Sequence, residues 1–127
     1  MVNTPPPDAN SPTELPILKK LTDAYKLWHG FLQQLPRLSR YTLGAKIDAL
    51  AAETIELALL AGYANRAQKL PIVQKASTKL DTLKLFIKIA WELKLLDSKH
   101  YAALVAPLAE TGKMMGGWLK QLAKEAN

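Results

Sequence analysis

Cysteine is absent from the chain. That excludes disulfides and thiolate metal sites and is compatible with a reducing cytosol. No apolar run approaches the ~18 residues that a membrane-spanning helix needs. The opening residues, MVNTPPPDANSP, have neither a basic start nor an apolar stretch, so no signal peptide is expected. Alternating apolar and polar residues are missing, as are two-residue hairpin turns, which argues against a sheet. Acidic residues are scarce: 11 Asp and Glu stand against 17 Lys and Arg, a formal charge of +6. Such an excess favours a polyanionic partner, nucleic acid before an anionic membrane surface.

Recognisable catalytic chemistry is missing too. The two histidines, His29 and His100, fall outside the apolar stripes described below. Glu53 and Glu56 are spaced i, i+3, but no Glu-x-x-His occurs, the motif that di-iron bundles require. The glycines of GKMMGG lack the strand–loop–helix setting of a phosphate loop. Met114, Met115 and Trp118 read as packing residues. The expectation is a cytoplasmic non-enzyme with no cofactor, no metal, no small-molecule substrate and no membrane association.

What is present is apolar substance, 49% of 127 residues, enough for one domain with a core. Residues 1–13 carry Pro5, Pro6, Pro7 and Pro12 and read as a disordered tail. Residues 14–127 form the domain. Its centre is the stretch Lys69–Leu96, KLPIVQKASTKLDTLKLFIKIAWELKLL. Pro71 fits a first turn. Ile72, Val73, Ala76, Leu80, Leu83, Ile87, Ala90 and Trp91 share one broad helical face. Leu85, Ile89 and Leu96 fall nearly opposite, which predicts a second neighbour. Eight cations lie between Arg66 and Lys99 against Asp81, Glu92 and Asp97, so most of the net charge sits here.

Three further helices flank it. The first runs from about Pro16 to Leu35, opened by Thr13 or Glu14, with Leu18, Leu21, Tyr25, Trp28, Leu32 and Leu35 as its stripe and Pro36 as its stop. The second starts at a cap on Ser39 or Thr42 and reaches Tyr63, ended by Gly62 and Asn65. Leu43, Ile47, Leu50, Thr54, Leu57, Ala58 and Ala61 face the core. Ile55 and Leu59 lie on another side, and so many alanines fill the rest that a second subunit is expected against it. The last helix is capped by Asp97 and Ser98 and runs to about Lys124. Its stripe is Tyr101, Leu104, Val105, Leu108, Met115, Leu119 and Leu122. Pro107 should kink it, and Gly112 and Gly116 leave a smooth patch for a close helix. The fold class is all-α: an antiparallel up-down four-helix bundle. The oligomer interface is expected at Ile55, Leu59, Leu85, Ile89 and Leu96.

A polyanion surface is expected at six cations. Lys75 and Lys79 have no acidic residue three or four positions away. Lys84 and Lys88 have Asp81 and Glu92 at such spacings. Arg37 and Arg40, before helix 2, add guanidinium groups that grip phosphate bidentately. No base-reading motif occurs, so phosphate contact with little sequence specificity is expected.

Across RLSRYTLGAKI, WELKLLDSKHY and GKMMGGWLK the chain resembles the accessory variability determinant family of diversity-generating retroelements. That family is related to four-helix proteins encoded in ribosomal-RNA intervening sequences. The resemblance covers roughly residues 16 to 122. It implies a homopentameric barrel of four-helix protomers that binds RNA or DNA and associates with the element's reverse transcriptase. That enzyme copies a template RNA into mutated cDNA, which replaces a variable region of a target gene. Arg40 matches the basic position before Thr-Leu-Gly, and the lysines of helix 3 match the family's basic face. Pro107 and the proline-rich tail depart from the pattern. The alternative is a stand-alone oligomeric interaction module with no nucleic-acid role.

Overall fold

Asn65 and Asp97 fix the starts of the last two helices. Asn65 Oδ1 accepts from the Gln68 amide at 3.2 Å, and Asp97 Oδ1 accepts from the His100 amide at 2.7 Å. Each satisfies a backbone donor that a helix start leaves unpaired. The computed structural model describes residues 15–126. It has four long helices and, among the described residues, no strand. We label them α1 (Pro16–Leu32), α2 (residues 37–63), α3 (Arg66–Glu92) and α4 (Ser98–Ala126). Helix α1 packs on α2 and α4, and α3 packs on the same two, so α1 and α3 stand diagonally in an up-down bundle. The proline-rich segment 1–13, and the Thr13 and Glu14 assigned to open α1, lie outside the described residues.

Several boundaries differ from those read along the chain. Helix α1 ends at Leu32, and Leu35 is buried from the loop that follows. Helix α2 starts at Arg37 behind Pro36, so neither Ser39 nor Thr42 caps it; Thr42 Oγ1 donates instead to the Leu38 carbonyl at 2.9 Å. It opens as Arg37–Ser39, widens into a π-helical turn over Arg40–Gly44, and continues as Ala45–Tyr63. Gly44 lies under that wide turn. A methyl group there would sit 2.7 Å from Leu32 Cδ1 and 3.1 Å from the Ser39 carbonyl oxygen, so only glycine fits without a shift. Helix α3 starts at Arg66, which puts Pro71 in its second turn rather than its first. The proline is exposed, so the carbonyl it leaves unpaired faces water.

The end of α3 explains another difference. Lys94 has φ 63°, the left-handed region. The Lys94 amide donates to Trp91 O and the Leu95 amide to Ala90 O, both at 2.9 Å. This is the Schellman pattern, usually closed by glycine. It turns the chain back, so Leu96 no longer follows the helical wheel and drops into the core at 2% exposure.

The core runs the length of the bundle: Leu18, Leu21 and Trp28 from α1, Ile47 and Leu50 from α2, Val73, Leu80 and Ile87 from α3, Leu104, Leu108 and Met115 from α4. Burial of such side chains contributes about 1.5–3 kcal/mol each before the entropy cost. Two predicted members are outside it. Val105 is exposed, and Trp91 stacks on Tyr101 at 4.8 Å with its Nε1 donating to Ser98 Oγ. Thr54 and Thr111 are fully buried, and their hydroxyls donate to the Leu50 and Pro107 carbonyls four residues back. Helix α4 is a single helix through Pro107.

Candidate nucleic-acid interface

The six cations proposed for a polyanion surface do not form one patch. Four of them lie on α3, and 100° per residue puts Lys75 and Lys79 about 180° from Lys84 and Lys88. Side-chain contacts agree. Lys79 Nζ reaches across to α2 and meets Glu53 Oε2 at 2.8 Å. Lys84 reaches the other way, over Gly112 of α4, where an added methyl would stand 2.7 Å from its Nζ. The two lysine pairs therefore border different grooves, α2–α3 and α3–α4.

Lys79 is also not free. The hydrogen bond from Lys79, then its charge and that of Lys46, hold the Glu53 carboxyl below its ordinary pKa. Sequence spacing missed this partner because Glu53 is on another helix. Lys84 keeps a loose contact with Asp81 at 3.8 Å, as its spacing predicts, whereas no ion pair joins Lys88 to Glu92. Among the described residues, Arg37, Arg40, Lys75 and Lys88 have no carboxylate within ion-pair reach. All four are exposed. Lys69, a cation outside that set, turns inward: its ammonium donates to the Ala61 and Gly62 carbonyls at 2.8 and 3.1 Å and closes the end of α2.

Arg37 and Arg40 stand apart, on the first turns of α2 at one end of the bundle. They share that end with two side chains not singled out from the sequence. Leu38 is 78% and Tyr41 72% exposed. The signal was present as an absence: between Asp23 and Asp48 no acidic residue occurs, while Lys26, Arg37, Arg40 and Lys46 do.

The histidines are less plain than expected. His29 is exposed, but His100 lies half-buried, stacked on Phe31 at 4.1 Å with its Nδ1 3.8 Å from Asp97. This contact ties the start of α4 to the end of α1. Nearby, Asp48 accepts from Trp28 Nε1 at 3.3 Å, and it also acts on Tyr25, whose hydroxyl is held above its ordinary pKa first by burial and then by Asp48. Glu53 and Glu56 do not act together: Glu53 turns to Lys79 and Glu56 is exposed.

Of the apolar residues assigned to an oligomer interface, Leu85 is 54% exposed and Ile55, Leu59 and Ile89 are half-buried. Leu96 belongs to the bundle core and leaves the set. Gly116 meets none of the described residues: a methyl there would touch nothing within 4 Å. No described helix packs against its smooth side.

A family model described as bAvd-like matches residues 15–122. No curated protein and no solved structure matches the chain.

Proposed function

The chain belongs to the bAvd-like family, the accessory variability determinants, and on that premise we propose that it is a nucleic-acid-binding, non-catalytic accessory subunit of a diversity-generating retroelement. In this reading it associates with the element's reverse transcriptase and with the template RNA or its cDNA during mutagenic replacement of the target gene. The observation that supports it best is the end of the bundle at Arg37 and Arg40. Two exposed guanidiniums one turn apart, with no carboxylate in reach among the described residues, sit in a segment free of acidic residues. Arginine forks suit phosphate. Lys75 and Lys88 extend the positive surface along the two sides of α3. A homo-oligomer repeats these cations around its axis, so weak contacts gain by multivalency. The exposed Leu85 and the open face at Gly116 suit such contacts between copies, and family membership suggests five.

The test is binding to unrelated RNA and DNA oligonucleotides across a salt series. Each phosphate contact should contribute roughly 0.7–0.9 to the log–log slope. Replacing Arg37 and Arg40 by glutamine should weaken binding evenly across sequences and flatten the slope. No binding by the unmodified chain at low salt defeats the reading and leaves the interaction module in its place. Light scattering that finds a monomer at micromolar concentration removes the oligomer.

A further inference from the structure

We infer that the nucleic acid held at the Arg37–Tyr41 end of the bundle is single-stranded, with a base stacked on the Tyr41 ring and neighbouring phosphates held by Arg37 and Arg40. The inference rests on the nucleic-acid reading above and adds the state of the strand.

Tyr41 differs from the other rings of the protein. At the same end, Phe31 is covered by His100 and Trp91 by Tyr101. Trp28 is fully buried, and the half-buried Tyr25 ring lies against His29. Tyr41 is 72% exposed, and among the described residues no ring stacks on it. Tyr63 is the other exposed tyrosine, but its neighbour Arg66 is engaged by Glu125 at 3.5 Å. Among the described residues, Tyr41 is the ring that combines an open aromatic face with two guanidiniums lacking an ion-pair partner.

The local backbone supports that ring. The turn is π-helical over Arg40–Gly44, a widening found often at functional positions. It is pinned from beneath by Gly44 against Leu32 and Leu35, and from the side by the Thr42 hydroxyl on the Leu38 carbonyl. The aromatic face is therefore carried on an ordered turn rather than a loose loop. Arg37 stands four residues before Tyr41 and Arg40 directly before it, so both cations share one short piece of helix with the ring.

A duplex hides its base faces in its own stack and offers only phosphates to such a surface. A single strand offers both phosphates and free base faces, which aromatic side chains take with little regard for sequence. Exposed carbon on a ring beside two cations is thus complementary to a strand with unstacked bases. A purely apolar protein partner would use Leu38 and Tyr41 but leave the guanidiniums without counter-charge.

The experiment uses the full chain and a short fluorescent oligonucleotide of mixed sequence, as RNA and as DNA, each alone and annealed to its complement. Anisotropy at fixed low salt should show tighter binding of both single strands than of either duplex. Tyr41→Ala should weaken single-strand binding by roughly five- to 150-fold, the span of one base stack, and leave duplex binding nearly unchanged. Tyr41→Phe keeps the ring and should retain the affinity. Circular dichroism should show the same fold in both variants, because the side chain covers little. Equal weakening of single strand and duplex by Tyr41→Ala, or no weakening of either, overturns the inference while nucleic-acid binding stands. A loss with Tyr41→Phe as large as with alanine overturns stacking in favour of the hydroxyl. A chain that binds neither form has lost both this inference and the reading beneath it. If only a protein partner is lost with Tyr41→Ala, the surface is a protein-docking site and the inference fails.

Discussion

Glu53→Gln probes the α2–α3 groove most directly. Lys79 Nζ lies 2.8 Å from the Glu53 carboxylate, so a phosphate that engages Lys79 must first displace that anion. Glutamine keeps the size and removes the charge. Lys79 is then released, and the groove that also holds Lys46 and Lys75 loses a repelling charge. The expected result is tighter binding to a single oligonucleotide, with the log–log salt slope steeper by roughly 0.7–0.9 per protomer for one added phosphate contact. The pair is exposed, so the melting temperature should change little. In the unmodified protein, Lys79→Gln should flatten the slope far less than Lys75→Gln, because Lys79 is already neutralised. In the Glu53→Gln background, Lys79→Gln should remove what the first change added. Anisotropy titrations of the four proteins across a salt series measure all of this. An unchanged slope in Glu53→Gln, or the loss of a whole contact in Lys79→Gln alone, refutes the reasoning.

Three further outcomes follow from the fold. Gly44→Ala puts a methyl 2.7 Å from the flexible end of Leu32 and 3.1 Å from the Ser39 carbonyl; overpacking of about 1–3 kcal/mol, less the ~1 kcal/mol that alanine gains in a helix, should leave a net loss of up to about 2 kcal/mol in denaturant unfolding. Lys94→Gly relieves a left-handed residue at φ 63° and should raise stability by about 1 kcal/mol in the same assay. Burial, and then the hydrogen bond and charge of Asp48, push the Tyr25 hydroxyl above its ordinary pKa of 10.0. The folded protein therefore holds that proton more tightly than the unfolded chain. The stability this contributes is complete below about pH 10 and is lost as pH rises through the raised value. Tyrosinate absorbance should show one late step that Tyr25→Phe removes.

Residue spacing alone shows that the chain is helical and where most of its core lies. Residues three and four apart share a helix face whatever the helix packs on. Leu18, Leu21, Ile47, Leu50, Val73, Leu80, Ile87, Leu104 and Met115 were therefore legible as core from spacing alone. Asp97 was legible as a cap because capping is local. The match over residues 15–122 agrees with the resemblance carried by RLSRYTLGAKI and its companions. What the sequence does not contain is the neighbour across a groove. Lys79 looked unpaired along its own helix because its partner Glu53 stands 26 positions away on α2. Leu96 looked like an interface residue because a wheel assumes the helix continues, whereas the turn at Lys94 buries it. The division of the lysines between two sides of α3 follows from helical spacing alone, whereas the grooves they border and the exposure of Tyr41 beside Arg37 and Arg40 depend on tertiary packing. Which side chains meet across a bundle depends on the packing of separate helices, and that geometry sets which charges remain free for a partner.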